Sequence, residues 1–142
     1  MFNRFFHFLH DLSISLYRRT RGQVGGRVQG LPVLLLRTVG RKTGKERITP
    51  LGYFMDDGNY VITASNAGRN TDPAWFYNLR THPRVTMEIK DRQFEAEAEI
   101  VVSEKRNMLW SKLIALSPAY AKYAKKTTRE IPLVILRPLK DG

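Results

Sequence analysis

The sequence predicts an α+β, mainly β fold: a closed or partly closed six-stranded antiparallel barrel with an N-terminal helix and short packing helices. Three observations carry the prediction. Six short apolar runs are separated by turn signals and short helical stretches, the pattern of hairpin-connected strands. One of them, 93–102, alternates Phe94, Ala96, Ala98 and Ile100 with Glu95, Glu97, Glu99 and Val101. Such alternation marks an antiparallel strand with one face on the core and one solvated, here acidic, face. Finally, 142 residues at 42% hydrophobic content make one domain, 1–142, with enough chain for a real core.

The elements follow in order. Residues 1–20 read as a helix, because Phe2, Phe5, Phe6, Leu9, Leu12 and Leu16 recur at three-to-four spacing, with Phe8 and Ile14 off that stripe. Packing on the barrel or in a homodimer would use this face. The alternative is an interfacial membrane helix with Arg4, Arg18, Arg19 and Arg21 toward lipid phosphates. A targeting signal is not supported, since no charged start precedes a long apolar core and a small-residue cleavage site. Residues 22–30 are glycine-rich and read as loop. Strands follow at 32–39 and 46–55, and at 59–65 after the hairpin signal Asp56-Asp57-Gly58-Asn59. A helix spans 73–80, with Asp72 as its cap and Pro73 at its first position, and His82-Pro83 ends it. Strands return at 84–90 and 93–102. Ser103 caps a helix to Leu116 that turns Leu109, Trp110, Leu113 and Ile114 inward. A short helix spans 118–125, and a last strand, 132–137, stops at Pro138. The barrel thus occupies 32–138.

Composition narrows the function. Cysteine is absent, so disulfides and thiolate chemistry are excluded, and a reducing, cytoplasmic setting fits. His7, His10 and His82 do not make a metal set, and no metal is expected. No run approaches the roughly 18 apolar residues of a membrane span. The net charge is +11. It is uneven: residues 1–47 hold ten Lys/Arg against two Asp/Glu, and residues 48–142 hold fourteen against eleven. A cationic first third implies an anionic partner: nucleic acid, an anionic membrane surface, or a polyanionic small molecule. Nucleic acid is not expected, because strands 84–90 and 93–102 lack aromatics interleaved with cations. A Ser/His/Asp triad, a Walker loop and a G-x-G-x-x-G turn are all missing, which argues against hydrolysis and nucleotide-dependent transfer.

Two blocks carry chemistry. The first is Gly40-Arg41-Lys42-Thr43-Gly44-Lys45-Glu46-Arg47-Ile48-Thr49-Pro50. Glycines permit a tight turn with exposed N–H groups, and Arg41, Lys42 and Arg47 add charge around it, as a phosphate or carboxylate tail requires. A solvated basic hairpin is the bland reading of the same residues. The second block is Thr63-Ala64-Ser65-Asn66-Ala67-Gly68, then Asp72-Pro73-Ala74-Trp75-Phe76-Tyr77-Asn78-Leu79. Small residues at a strand end allow a flat ring to approach the backbone. Trp75, Phe76, Tyr77 and Leu79 read mainly as core. Asn78 is an amide inside an apolar run and needs hydrogen-bond partners.

In this order and spacing, the two blocks resemble the deazaflavin (F420)-dependent nitroreductase family, within the split β-barrel, FMN-binding-like superfamily. The resemblance runs from about Val33 to Pro138. It rests on Gly-Arg-Lys-Thr-Gly at 40–44, Arg47 with Thr49-Pro50, Ala64-Ser65, Pro73-Ala74-Trp75 with Asn78-Leu79, and Pro118-Ala119-Tyr120 through Tyr123. Thr127, Arg129 and Ile131-Pro132 complete it. The resemblance implies a six-stranded split barrel and an F420H2-dependent reductase that transfers a hydride to a quinone, enone or nitro compound. FMN on the same barrel is the alternative cofactor, and a non-enzymatic anion- or nucleic-acid-binding protein the alternative outside enzymes. Arg41, Lys42 and Arg47 would hold the cofactor tail, helped by N–H groups near Thr43 and Gly44. Thr49, Pro50, Ala64, Ser65, Asn66, Ala67, Trp75 and Asn78 would border the ring. Tyr120 and Tyr123, three apart on one helix face, would shape the acceptor site and deliver a proton, with Ser65 as the other proton carrier. Nitro-reducing members often have a tyrosine where this chain has Ser117, so nitro-drug reduction is not implied. Because the matching motifs begin after Val33, residues 1–20 are expected to be dispensable for cofactor binding.

Overall fold

The computed structural model describes residues 2–22 and 26–139, with side chains from Asp11 onward. Helix α1 (Phe2–Arg19) leads into a two-residue strand, β1 (Arg27–Val28). Six longer strands follow: β2 (Leu31–Val39), β3 (Glu46–Asp56), β4 (Asn59–Thr63), β5 (Arg84–Ile89), β6 (Arg92–Val101) and β7 (Leu133–Pro138). Helix α2 (Ala74–Thr81) lies between β4 and β5, and α3 (Ser103–Leu116) and α4 (Ala119–Lys126) lie between β6 and β7. The strands pair antiparallel in the order β2-β3-β4-β7-β6-β5, and β5 returns to β2 through Leu35↔Glu88, Leu36↔Met87 and Arg37↔Thr86. The six-stranded barrel is therefore closed, which leaves those strands no free edge. β1 is the additional strand, paired at the mouth of β2.

Residue alternation decides which side each residue faces. Leu34, Leu36, Ile62, Val85, Met87, Ala96, Val134 and Leu136 fill the interior, and α2 adds Trp75, Phe76 and Leu79 to the same cluster. Their strand neighbours Val61, Leu133 and Ile135 face outward and pack with Phe54, with Leu109 and Leu113 of α3 and with Tyr120 of α4. Helix α1 covers another outer patch, where Ile14 and Tyr17 meet Val33 and Leu35. β2 is thus buried on both faces, which is why its sequence runs Val33-Leu34-Leu35-Leu36 without alternation. Removing one such buried leucine side chain costs about 2–5 kcal/mol.

Several local expectations change. The glycine-rich stretch 22–30 is not all loop. Gln29 and Gly30 both have positive φ (51° and 79°), the backbone of a two-residue hairpin turn, and this creates β1. Asp57 and Gly58 make the same turn (50° and 78°), as their sequence predicted. Val101, assigned to the solvated face of its strand, is buried because α3 covers that end. Ser103 is the first residue of α3, with φ at 59°, and its hydroxyl does not cap the helix. Asp72 does not cap α2 either; its carboxylate pairs with Arg129.

The face of α1 is also rotated from the expected stripe. Ile14 and Tyr17 are buried, while Leu12 is exposed. Tyr17 sets this orientation: its hydroxyl donates to Val33 O (2.8 Å) and accepts from Lys90 N–H (2.8 Å). Arg18 adds a two-pronged pair to Glu88 (2.9 and 2.7 Å). The face carrying Ile14 and Tyr17 is used by the barrel and is not available to lipid. The side chains of Phe2, Phe5, Phe6 and Leu9, and the His7–His10 pair, lie outside the described side chains. No helix among the described residues is long and apolar enough to cross a membrane.

Candidate functional site

A cleft of about 1540 Å³ opens between α1, the turn after β2, the first half of β3 and α2. It collects Arg41, Lys42, Thr43, Arg47, Thr49, Pro50, Trp75 and Asn78, which come from both sequence blocks. It also collects residues that sequence reasoning did not assign to it: Asp11, Ser13, Ile14, Ser15, Arg18 and Arg19 of α1. Five cations (Arg18, Arg19, Arg41, Lys42, Arg47) face two carboxylates (Asp11, Glu46) across this lining. The sequence signal was present, in the cationic first third, but Arg18 and Arg19 read equally well as lipid-facing.

The basic turn is closed by its own hydrogen bonds. Gly40 N–H donates to Lys45 O (2.7 Å) and Gly44 N–H to Gly40 O (2.8 Å). Lys45 N–H reaches Thr43 Oγ1 (3.3 Å), and Arg41 N–H reaches Asn78 Oδ1 (3.1 Å). A Cβ on Gly40 would sit 2.9 Å from Thr43 Oγ1, so the turn needs glycine there. The Gly44 amide is therefore consumed inside the turn, and Gly44 does not line the cleft. That amide is already bonded within the protein, while the side chains of Arg41, Lys42 and Arg47 line the cleft. Arg41 is steadied by its guanidinium lying 4.8 Å from the Tyr77 ring centroid.

Asn78 resolves into a tie between elements. It is buried, accepts from Arg41 N–H and donates to Thr38 Oγ1 (3.4 Å). Its amide anchors α2 to the end of β2 and sets the basic turn, while the residue borders the cleft. Trp75 contributes to the barrel cluster and to the cleft wall at once.

Ala64, Ser65, Asn66 and Ala67 form a separate group outside the cleft lining, where β4 ends in a single tight helical turn, Asn66–Gly68. Ala64 is buried. Asn66 and Ala67 have φ of 49° and 55°, left-handed values that non-glycine residues seldom adopt. Arg129, from beyond α4, binds the carbonyls of Ala64, Ser65 and Arg69 and the carboxylate of Asp72.

Tyr120 and Tyr123 form a third group. Their rings meet edge to face, centroids 5.5 Å apart. Tyr123 Oη accepts from Gln29 Nε2 (2.8 Å), and buried Ser117 donates to Gln29 O (2.5 Å). Ser117 thus anchors the β1–β2 turn over α4. Tyr120 is 6% exposed, and burial, reinforced by Tyr123, pushes its phenol up to about 12. Its position relative to the cleft is set by β3. Alternate residues of a strand share a face. Ile48, Pro50, Gly52 and Phe54 make the outer row: Ile48 packs under α1, Pro50 lines the cleft and Phe54 packs near α3. A Cβ on Gly52 would lie 3.3 Å from Tyr120 Oη and 2.8 Å from Val28 Cγ1. The Tyr120 hydroxyl therefore sits over Gly52, one outward position, about 7 Å, along the strand from Pro50. Among the described residues no cluster of His, Asp or Glu could hold a metal ion.

Comparison with known proteins identifies the family. Residues 11–138 match the F420H(2)-dependent quinone reductase family. An F420H(2)-dependent quinone reductase of Mycobacterium tuberculosis is 36% identical over 133 residues, covering 90% of this chain and 87% of that protein. A solved F420-H2 dependent reductase, FDR-A, is 33% identical with a TM-score of 0.68, over 75% of this chain and 94% of its own. A structure described as a domain-swapped dimer is 28% identical with a TM-score of 0.70, over 92% and 98% of the two chains. The chain belongs to the F420H(2)-dependent quinone reductase family: it is an oxidoreductase, and its cofactor is F420 rather than FMN.

Proposed function

We propose that the cleft between α1 and the basic turn holds the anionic tail of F420, and that a small hydrophobic quinone-type acceptor is reduced at the Tyr120 end of the outer β3 row. When bound, reduced F420 supplies the hydride. The residues fit such a group. Five cations line the cleft against two carboxylates, and with Arg18 already paired to Glu88 four remain, which suits a polyanion better than a single phosphate; α1 and α2 both contribute to the cleft lining. Arg41, Lys42 and Arg47 would hold the tail, with Arg18 and Arg19 of α1 as further cations. Thr43 shapes the turn, and Thr49, Pro50, Trp75 and Asn78 wall the path toward the ring. Ala64, Ser65, Asn66 and Ala67 would border the ring from the β4 end.

The observation that supports this reading is continuity along β3. Ile48 and Pro50, which line the cationic cleft, and Gly52, the glycine that makes room for Tyr120, occupy one row of one strand. A phenol near 12 stays protonated at any working pH, so Tyr120 can donate a hydrogen bond to an acceptor oxygen as hydride arrives. Tyr123 holds Tyr120 edge to face, and Ser65, just after β4, is the other candidate proton carrier. A chain without cysteine fits a reducing, cytoplasmic setting, and the domain-swapped relative supports a homodimer.

The test is direct. Fluorescence titration should give tight F420 binding that weakens with salt, and F420H2 should be oxidised in the presence of a soluble naphthoquinone. FMN binding with no F420 binding, or F420H2 oxidation indifferent to the quinone, would overturn the reading. Sedimentation velocity decides the dimer.

A further inference from the structure

We infer that Arg129 is a positioning residue for the reaction: its guanidinium holds the strained loop 64–72 so that the end of β4 and the start of α2 face the cofactor in one fixed arrangement. The inference rests on the proposed function for what the arrangement serves, and on hydrogen bonds for the arrangement itself.

Arg129 directs one planar fork at four acceptors. Nη1 donates to Ala64 O (3.2 Å) and to Asp72 Oδ1 (2.7 Å), Nη2 to Ser65 O (2.9 Å) and Nε to Arg69 O (2.9 Å). An arginine has five N–H donors, so little is left for a ligand. Its charge is balanced by Asp72, and both side chains are largely buried, 16% and 20% exposed. Arg129 is therefore not another member of the tail-binding cation set, although it belongs to the same basic chain.

The loop has internal bonds, Gly68 N–H to Ser65 O (2.9 Å), Arg69 N–H to Asn66 O (3.1 Å) and Asn66 Nδ2 to Thr71 O (2.9 Å), but its backbone is strained. Asn66, Ala67 and Gly68 are successive left-handed residues (φ 49°, 55° and 80°), and only the last is glycine. Backbone of this kind persists where surrounding contacts over-determine it. The contacts from outside the loop come from the C-terminal side: Arg129 as above, Thr127 Oγ1 to Asn70 Oδ1 (3.0 Å), and Tyr123 O, only 3.0 Å from where a Gly68 Cβ would lie. Peptide planarity then fixes a consequence. With the Ala64 and Ser65 carbonyls turned to Arg129, the following N–H groups, those of Ser65 and Asn66, point the opposite way. Ser65 is right-handed (φ −72°, ψ −33°) and Asn66 left-handed, a succession that brings neighbouring amides to one side. The same guanidinium grips Asp72, one residue before Pro73 and two before Ala74, where the α2 wall of the cleft begins. A single side chain thus ties together the loop bearing Ser65, the entry to α2 and the segment after the tyrosine helix.

A loop displaced by about 1 Å can cost about a hundredfold in rate without changing distant binding contacts. Arg129→Lys keeps the charge opposite Asp72 but loses the fork. It is expected to bind F420 within about threefold of wild type, since the tail cations are untouched, while kcat for quinone-dependent F420H2 oxidation at saturating substrates falls about 10- to 100-fold. Unchanged kcat would overturn the inference, as would a fall in F420 affinity with kcat retained. Asp72→Asn is the companion variant, because it removes the charge pair and leaves the three carbonyl bonds. Near-normal kcat with a lowered Tm supports the carbonyl fork as the functional part. A kcat loss equal to that of Arg129→Lys overturns it, and this comparison decides the matter if Arg129→Lys proves too unstable to assay. Wild-type F420 binding and turnover are measured alongside. Their failure would reject the proposed function, whereas failure confined to the variants' expected pattern rejects only the role of Arg129.

Discussion

The basic turn and the tyrosine end are built on opposite principles. The turn presents Arg41, Lys42 and Arg47 from an exposed surface, and its Gly40, Arg41, Gly44 and Lys45 amides are used within the protein. The tyrosine end buries Tyr120 and Ser117 and ties the β1–β2 turn, α4 and β3 together through Gln29 and Gly52. Solvated charges give attraction that is long-ranged, tolerant of geometry and weakened by salt. Buried groups give short-ranged, preorganised interactions that salt hardly touches. On the proposed reading, affinity rests on the first kind and the chemical step on the second. Helix α1 spans the difference: its exposed arginines serve the cleft while Tyr17 is embedded in the barrel.

Breaking α1 should have the largest effect. Tyr17→Ala removes a buried ring and both of its hydrogen bonds, so a loss of about 3–5 kcal/mol in stability is expected, read by denaturant titration. F420 affinity should fall with it, because α1 forms a cleft wall; a truncation lacking residues 1–20 should bind F420 poorly for the same reason. Retained affinity in the truncated protein would restore the view of α1 as dispensable.

Tyr120→Phe sharpens the contrast from the buried side. Loss of one positioned proton donor is expected to lower kcat by about a hundredfold, with F420 affinity and its salt dependence unchanged. Full activity would make Tyr120 a wall and leave proton delivery to Ser65 or water.

Alkaline titration probes the same phenol without a substitution at the turn. The folded value, about 12, lies above the unfolded value of about 10. The folded state therefore holds this proton more tightly, and the stability it contributes is fully present below about pH 10 and lost as pH rises through about 12. From Tyr120 alone this amounts to roughly 2–3 kcal/mol. Tyr17 and Tyr53, also raised chiefly by burial, act in the same direction. Tyr120→Phe should flatten the decline between pH 10 and 12; an identical decline would mean that Tyr120 does not carry it.

The smallest expected effect lies in the exposed turn. Lys42→Ala should weaken F420 binding by about tenfold at low salt, the worth of one charge-assisted hydrogen bond, and by less at high salt. Equal losses at both salt concentrations would indicate a buried contact in place of a solvated one.

Much of this was legible in the chain before any fold was built. The Glu/apolar alternation of 93–102 announced β6, Asp57-Gly58 announced the β3–β4 hairpin, and the apolar run at 33–36 marked a strand, though not that both of its faces are buried. These features are local, because backbone period and turn chemistry act over a few residues. The basic turn and the order of its companion motifs likewise pointed to F420 without any coordinates. Asn78 was legible as a buried amide that needed partners, though not which partners it had.

What sequence alone determined was therefore the barrel, the cationic turn and the family chemistry, all written in short-range pattern. Tertiary structure alone decided that α1 turns Ile14 and Tyr17 inward and lends Arg18 and Arg19 to the cleft. It also decided that Gly52 is bare to admit Tyr120, and that Arg129 is turned to backbone carbonyls and Asp72 and away from the cationic cleft. Each of these depends on residues far apart in the chain, 16 and 73 positions for the two bonds of Tyr17 and 57 to 65 for those of Arg129. Local propensity carries no information about such distant partners; they become neighbours only when the barrel closes and brings their strands and helices together.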